Sequence, residues 1–197
     1  HAAAYYLCDN GARDAADISG ALYAYNPSQS YVQRVLNQAD RYRAAESARG
    51  QIILAAAMRW IGTPYSWAGG DENGPTYGAC CSPAGKDGSR IKGFDCSGLT
   101  RYALAQAGVR GAAHSATWQW NNTENLGGIR IPAVLGLDAL APGDLVFFSK
   151  TPHNPTRMHH VGIYAGNGTM VNAPRPGQTV QLQRMDPSQY AGEAGFR

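Results

Sequence analysis

The hydrophobic pattern of this chain changes its period partway along, and this change most constrains the fold. Up to about residue 108, apolar residues recur three and four positions apart, which is typical of amphipathic helices. Beyond residue 140 they alternate with polar residues, as in PGDLVFF and TVQLQRM, which indicates strands. Helices followed by a run of antiparallel strands predict an α+β fold from about residue 50 to 197, with a separate helical segment before it.

Three helices are predicted in the first part of the chain. The segment SYVQRVLNQADRYRAAES has helical spacing, with Ser30 as its N-cap and Gly50 as the residue that breaks it. A second helix is predicted over residues 51–61, before a Gly and a Pro. A third begins near Asp95 and stops at Gly108, because glycine readily adopts the conformation that ends a helix.

Cys96 lies at the start of the third predicted helix, directly after Asp95. A thiolate at that position would face unpaired backbone N–H groups and the positive end of the helix dipole, which lower the pKa of a thiol. Ser97 and Gly98 are expected to keep the first turn small, so that a substrate can approach. Cys96 is therefore a candidate nucleophile, and a buried or disulfide-bonded cysteine is the alternative.

A nucleophilic thiol needs a base, and the base needs a polar group that orients it. The segment HHVGIYAGNGTMVNAP predicts a hairpin with His160 on one strand and Asn172 on the next. A three-residue loop over residues 166–168 would place both side chains on one face, whereas a two-residue Asn-Gly turn would place them on opposite faces. We predict the three-residue loop, which permits a Cys-His-Asn triad.

The composition indicates a globular protein and excludes several functions. The 197 residues are 44% hydrophobic and 16% charged, and the net charge of +3 comes without any basic run. We therefore expect no nucleic-acid partner, no membrane span and no metal site. The chain opens without a recognisable signal peptide, which suggests a fragment or a processed form of a longer protein.

The other three cysteines leave the disulfide pattern open. Cys80 and Cys81 lie in a long loop rich in Gly, Pro, Asp and Ser that runs from Gly69 to Gly93. They could join each other, or one of them could reach Cys8. In either case we expect Cys96 to be a free thiol in an extracellular setting.

Four segments occur in an order that resembles the NlpC family of cell-wall cysteine peptidases: GTPYSWAGG, GFDCSGLTRYALAQAG, APGDLVFF and HVGIYAGNGTMVNAP. The resemblance covers roughly residues 50–190 and implies a papain-like fold. It also implies a peptidase that cuts peptidoglycan stem peptides, typically between γ-D-glutamyl and diaminopimelate. In this family's pattern Cys96 is the nucleophile, His160 the base and Asn172 the orienting residue, with no metal or organic cofactor.

The resemblance extends to residues that bind the substrate. The segment HSATWQW is similar to a family loop in which an arginine is common where this chain has His114. The predicted substrate-binding residues are Tyr65, Asp95, Ser97, Ser115 and His159. One stretch departs from the family, because the residues from Asp71 to Lys92 are usually fewer. We expect this insertion to lie by the entrance to the site.

Residues 1–46 carry a second resemblance. The segment ALYAYNPSQSYVQRVLNQADRYR is similar to the C-terminal end of a lytic transglycosylase domain, whose catalytic glutamate would lie upstream. We therefore expect a helical segment over residues 1–46 and an NlpC-type peptidase domain over 47–197, within a bifunctional cell-wall lytic protein. Such a protein would be bacterial, secreted or held in the cell envelope, and monomeric.

Two other functions fit the same motifs. The thiol could serve an amidase that cuts between sugar and peptide, or an acyltransferase. The fold could also serve as a non-catalytic module that binds the wall.

Overall fold

A computed structural model describes residues 2–13, 16–133, 140–151 and 156–196, without the side chains of residues 42–47 and 132. The chain divides into two compact units, His1–Ala45 and Glu46–Arg197. Of the helices in the described ranges, none is long and apolar enough to cross a membrane.

The first unit is helical. It contains α1 (Ala2–Leu7), a π-helical turn (Cys8–Ala12), α2 (Ile18–Tyr25) and the first part of α3 (Gln29–Met58). Helix α3 begins one residue before the predicted N-cap Ser30. The hydroxyl of Ser28 accepts a hydrogen bond from the Tyr31 backbone N–H at 3.4 Å, so Ser28 caps the helix and the prediction is wrong by two residues.

Gly50 does not break the helix, which is a correction to the sequence prediction. Helix α3 continues through it, and the predicted helix over residues 51–61 is the last part of α3. Gly50 is buried, and a Cβ at this position would lie 2.6 Å from the Pro142 carbonyl oxygen. The glycine therefore allows a close approach of two backbones, at a cost in helix propensity of about 1 kcal/mol.

The second unit combines helices with a six-stranded antiparallel sheet. In chain order its elements are β1 (Thr76–Tyr77), β2 (Lys92–Gly93), α4 (Cys96–Gln106), α5 (Ala116–Asn121), a 3₁₀ turn (Glu124–Leu126), β3 (Ile129–Pro132), β4 (Leu145–Phe148), β5 (His160–Gly166), β6 (Thr169–Asn172), β7 (Gln181–Arg184), a 3₁₀ turn (Pro187–Gln189) and β8 (Tyr190–Gly195). The sheet order is β3-β8-β4-β5-β6-β7, and β1 pairs with β2 separately. The predicted α+β class is confirmed.

Strands β3 and β8 of the sheet were not expected from the sequence. Strand β8, with the sequence YAGEAG, lies between β3 and β4 and is buried along its whole length. A strand buried on both faces shows no alternation of polar and apolar residues, so its pattern carries no period of two. Gly192 in this strand lets Trp120 pack closely, since a Cβ there would lie 2.6 Å from that ring.

The main core lies between the sheet and helices α3 and α4. Its largest fully buried apolar side chains are Ile53, Phe94, Leu99, Leu104, Leu145, Phe147, Val161, Ile163 and Phe196. Burying each such side chain contributes about 2 kcal/mol. Helix α4 packs against β5, and the thiol of Cys96, the first residue of the helix, lies beside the backbone N–H of Val161 near the beginning of that strand.

Candidate active site

Cys96 is the first residue of α4, and its sulfur faces strand β5. The Asp95 carboxylate caps the helix by accepting a hydrogen bond from the Gly98 N–H at 2.8 Å. The backbone N–H of Val161, in β5, lies close enough to the thiol to affect its pKa. Cys96 and Cys8 are free thiols, whereas Cys80 and Cys81 form a disulfide with each other. The expectation of a free Cys96 is confirmed.

The pKa of the Cys96 thiol is not lowered, although the position of the residue at the start of a helix suggested that it would be. Burial raises the pKa of Cys96 to about 12, and the negative charge of Asp95 raises it further. The N–H groups of Val161, Ser97 and Cys96 itself act in the opposite direction but are outweighed. The expectation of a lowered pKa is therefore wrong, and at neutral pH the thiol is protonated.

His160 begins strand β5 and is held by Asn172. Its Nε2 lies 2.9 Å from the Asn172 Oδ1, and Asn172 is fully buried. An amide oxygen can only accept a hydrogen bond, so the His160 Nε2 carries the proton and the Nδ1 presents a lone pair. Burial lowers the pKa of His160 to about 4. The ring is therefore neutral at pH 7, which is the form that can act as a base.

The register of the hairpin places His160 and Asn172 on one face of the sheet, as the sequence predicted. Strands β5 and β6 pair Tyr164 with Met170, and this even register continues to Gly162 opposite Asn172. A Cβ on Gly162 would lie 3.3 Å from the Asn172 Cβ. Glycine at this point therefore leaves room for the asparagine side chain.

The turn that produces this register differs from the predicted one. Gly166 pairs with Thr169, so the loop is a two-residue turn in which Asn167 and Gly168 have φ of 52° and 69°. The register shifts by one residue between Tyr164 and Gly166. This bulge restores the even register that a two-residue turn alone would have lost. The predicted three-residue loop is wrong.

Asp95 connects the start of α4 to two other segments, and also bonds within the first turn of the helix. Its Oδ1 accepts hydrogen bonds from the Ser97 hydroxyl at 3.0 Å and from the His114 Nε2 at 2.8 Å. Its Oδ2 accepts one from the Ala68 N–H at 3.0 Å. Asp95 and Ser97 are both buried. The polar atoms of these two predicted substrate-binding residues therefore hold the first turn of α4 together.

Gly98 is small for a reason other than substrate access. A Cβ at this position would overlap the Gly69 carbonyl oxygen and would lie 3.1 Å from the His114 Nε2. The first turn of α4 therefore packs directly on backbone and on the His114 ring. The expectation that Gly98 leaves space for a substrate is corrected.

Tyr65 lies close enough to Cys96 and Asp95 for their charges to affect its pKa. The residue is buried, and burial raises the pKa of its phenol, with further contributions from the charges of Cys96 and Asp95. The hydroxyl therefore stays protonated and can donate a hydrogen bond close to the thiol. Tyr65 also borders a cavity of ≈ 120 Å³.

Ser115 and His159 lie at the edges of this arrangement. Ser115 is the N-cap of α5, and its hydroxyl accepts a hydrogen bond from the Trp118 N–H at 3.3 Å. His159 is exposed and borders a different cavity of ≈ 510 Å³, together with Lys150 and Arg157. A contact of either residue with substrate stays a prediction.

Gln119 and His114 support the site in ways that the sequence reasoning missed. Gln119 is fully buried, accepts a hydrogen bond from the Thr100 hydroxyl at 2.7 Å and donates one to the Ser97 carbonyl at 3.0 Å. It thereby ties α5 to the first turn of α4. Both residues belong to the segment HSATWQW, and their spacing within it is the signal that could have identified them.

The described part of the second unit offers nothing that resembles a metal centre. Throughout the described ranges, no three His, Cys, Asp or Glu side chains are grouped so that they could hold an ion.

The chain is similar to known cell-wall proteins. It is 34% identical over 142 residues to the peptidoglycan endopeptidase RipA of Mycobacterium tuberculosis, a match that covers 72% of this chain and 25% of RipA. The structure of the peptidoglycan hydrolase RipB from the same organism matches with 29% identity and a TM-score of 0.60, over 78% of this chain and 66% of the chain in that structure. The chain thus spans about a quarter of the length of RipA.

A third relative differs in activity. RipD of Mycobacterium tuberculosis is described as a non-catalytic NlpC/p60 domain protein adapted to peptidoglycan binding, and it matches with 26% identity and a TM-score of 0.56. This match covers 75% of this chain and 95% of the chain in the RipD structure. The family model named NlpC/P60 family matches residues 62–194. The resemblance found in the sequence motifs is therefore confirmed, and the chain belongs to the NlpC/P60 family.

Proposed function

We propose that this chain is a cysteine endopeptidase that cleaves peptidoglycan stem peptides, at the bond between γ-D-glutamyl and diaminopimelate. One observation carries the proposal: the helix that begins with Cys96 packs on the strand that begins with His160, and the His160 Nε2 bonds to Asn172 at 2.9 Å. The names of RipA and RipB as a peptidoglycan endopeptidase and hydrolase support it.

The first half-reaction forms an acyl-enzyme. The His160 Nδ1 takes the proton of the Cys96 thiol while the sulfur attacks the carbonyl carbon of the scissile amide. Backbone N–H groups at the start of α4, those of Cys96 and Ser97, donate hydrogen bonds to the oxyanion that forms. The tetrahedral intermediate collapses as His160 returns the proton to the leaving nitrogen, which departs as an amine.

The second half-reaction releases the peptide. His160 removes a proton from a water molecule, whose oxygen attacks the thioester carbon. The C–S bond breaks, the proton returns to sulfur, and the product leaves with a new carboxylate. Asn172 keeps the proton on Nε2 throughout, so that Nδ1 is free to exchange protons with the sulfur and with water.

The resting site is a neutral pair rather than an ion pair. The pKa of about 12 for the Cys96 thiol and the pKa of about 4 for His160 both favour the uncharged forms at neutral pH. Proton transfer therefore accompanies attack, and the charge that develops on the oxyanion and the imidazolium is stabilised only when substrate is present.

Digestion of defined muropeptides, followed by mass spectrometry, tests the proposal. The wild type should release a fragment with a γ-D-glutamyl carboxyl end and a fragment with a new amine on diaminopimelate. Cys96→Ala should release neither and should keep the wild-type melting temperature. Cys8→Ser is the matched control, because it removes the other free thiol, which is exposed, and should leave cleavage unchanged.

Other product patterns would contradict the proposal. Cleavage between the sugar lactyl group and alanine would indicate an amidase, and exchange of one amine for another would indicate an acyltransferase. The absence of any product would favour a non-catalytic module that binds peptidoglycan, as RipD is described. Cleavage by Cys96→Ala would remove Cys96 from the mechanism.

Residues 1–46 form the second part of the proposal. We propose that they are the end of a lytic transglycosylase domain in a bifunctional protein that acts outside the cell, on the wall, as a monomer. The helical content of the first unit and the segment ALYAYNPSQSYVQRVLNQADRYR support this. The chain alone should release no 1,6-anhydromuramyl ends from glycan strands, whereas a longer protein carrying the upstream glutamate should do so. Sedimentation velocity tests whether the protein is a monomer in solution.

A further inference from the structure

The insertion that distinguishes this chain is fixed to the backbone beside Tyr65. The Gly78 N–H donates to the Gly88 carbonyl, and the Gly88 N–H donates to the Ala79 carbonyl, each at 3.1 Å. The Ala79 N–H donates to the Trp67 carbonyl at 2.8 Å, and the Ser66 hydroxyl donates to the Gly88 carbonyl at 3.1 Å. Residues 78–88 therefore form a hairpin bound to the segment that directly follows Tyr65.

Two glycines allow this close contact. A Cβ on Gly88 would lie 2.7 Å from the backbone nitrogen and oxygen of Trp67, and one on Gly78 would overlap the Trp67 carbonyl oxygen. The tip of the hairpin is closed in the same way, since the Ser82 N–H donates to the Lys86 carbonyl at 2.9 Å. The backbone of the insertion is thus held as a wall of the site.

This wall encloses a small cavity against Tyr65. The cavity has a volume of ≈ 120 Å³, and Lys86, Asp87 and Ile91 of the insertion border it opposite Tyr65 and Trp67. A water molecule occupies about 30 Å³ in the liquid, so the cavity has room for roughly four waters. It therefore has room for a carboxylate and the carbon that bears it.

The two charged residues of the wall differ in how they are engaged. The Asp87 carboxylate accepts a hydrogen bond from the Ser89 N–H at 2.8 Å, and the bonds from Ser89 lower its pKa. Lys86 is exposed, and within the described ranges its ammonium takes part in no ion pair or hydrogen bond. The cation is therefore available to a ligand, while the carboxylate already has partners.

We propose that Lys86 binds a carboxylate of the stem peptide and so makes the insertion a specificity element of the site. This inference rests on the proposed function, because it names a group on the same substrate. Tyr65 links the two, since it borders the cavity and lies near the reacting thiol. The ammonium pairs with a carboxylate and not with the neutral amide that replaces it when the peptide is amidated.

The stem peptide offers two carboxylates close to the scissile bond, and matched substrates separate them. One is the α-carboxylate of the glutamyl residue, and the other is the carboxylate of diaminopimelate that is not in the peptide chain. The experiment measures kcat/KM with a fully acidic tetrapeptide, in which the other carboxyl of diaminopimelate is bonded to D-alanine, and with two versions that are each amidated at one of these groups. The enzymes are the wild type, Lys86→Ala, Lys86→Arg and Lys92→Ala.

For the wild type we expect one of the two amidated peptides to be cleaved about threefold to tenfold less efficiently than the acidic peptide. Lys86→Ala should cleave all three equally, and Lys86→Arg should keep the preference because it keeps the charge. Lys92 belongs to the same insertion but borders a different cavity, so Lys92→Ala should behave like the wild type.

Two results would overturn the inference. The wild type could cleave the three peptides equally, or Lys86→Ala could keep the full preference. Either result would still show cleavage, and would leave the proposed function intact. Failure of the wild type to cleave any of the peptides would instead contradict the proposed function.

Discussion

The His160 Nε2 lies 2.9 Å from the Asn172 Oδ1, across two neighbouring strands of one sheet. Because both residues are positioned by the same backbone ladder, the imidazole is held before any substrate arrives. The bond also fixes which ring nitrogen carries the proton, and so leaves Nδ1 as the basic atom. The properties of this pair and of its neighbours lead to four predictions.

Replacement of Asn172 should slow catalysis more than it weakens binding. Asn172→Ala removes the acceptor for the buried Nε2 proton, so the ring can rotate or adopt the wrong tautomer. We expect kcat to fall about tenfold to a hundredfold with little change in KM. Steady-state kinetics on a muropeptide measures both values. Asn125→Ala, at an exposed asparagine, serves as the control, and an unchanged kcat in Asn172→Ala would contradict an orienting role.

The space opposite Asn172 should be as important as the residue itself. Gly162→Ala would place a Cβ 3.3 Å from the Asn172 Cβ and 2.6 Å from the Met170 sulfur, so the side chains must move and kcat should fall. Gly168→Ala is the matched control, since Gly168 has φ of 69° and open space around it. It should cost about 1 kcal/mol of stability and leave kcat unchanged. Equal kcat values in the two variants would count against the packing argument.

His160 should make the protein less stable in mild acid. Its folded-state pKa of about 4 lies below the ordinary histidine value of 6.5. The unfolded chain therefore binds a proton first as pH falls, and the stability present above pH 6.5 is lost progressively towards pH 4. Between pH 7 and pH 4.5 this one group should lower the free energy of unfolding by about 2 kcal/mol.

Urea unfolding at both pH values measures the effect. His160→Gln cannot titrate there, so its loss of stability should be smaller than that of the wild type by this amount. Identical losses in the two proteins would show that His160 is not held neutral in the folded state.

Asp95 should affect the thiol through its charge. The charge of Asp95 raises the pKa of Cys96, second only to burial, so Asp95→Asn should lower that pKa while retaining a side-chain oxygen for the helix cap. The rate of alkylation by iodoacetamide should then rise at lower pH than in the parent protein. The measurement belongs in a Cys8→Ser background, because Cys8 is also free and exposed.

Two comparisons complete this test. Asp186→Asn, which removes an exposed carboxylate elsewhere, should leave the alkylation profile of Cys96 where it was. A profile that does not move in Asp95→Asn, or that moves to higher pH, would show that the charge does not act on the thiol.

The local sequence determined the elements that carry Cys96, His160 and Asn172. An Asp before a Cys at the start of an apolar period predicted the capped helix α4, and the alternation around His160 and Asn172 predicted the two strands that carry them. Both are properties of neighbouring residues, or of two strands joined by a short turn. Hydrogen bonding along the chain fixes such features almost independently of the rest of the fold.

The tertiary structure decided what depends on distant segments. From the sequence, Gly50 is expected to break the helix, but in the fold its small size allows the backbone of Pro142 to lie against it. Strand β8 shows no alternation of polar and apolar residues because both of its faces are buried. The pKa of the Cys96 thiol is raised because burial by the surrounding protein outweighs the N–H groups at the helix start. Desolvation of a group depends on all the residues that pack around it. Many of these residues are distant in the chain, so the local sequence does not determine the desolvation.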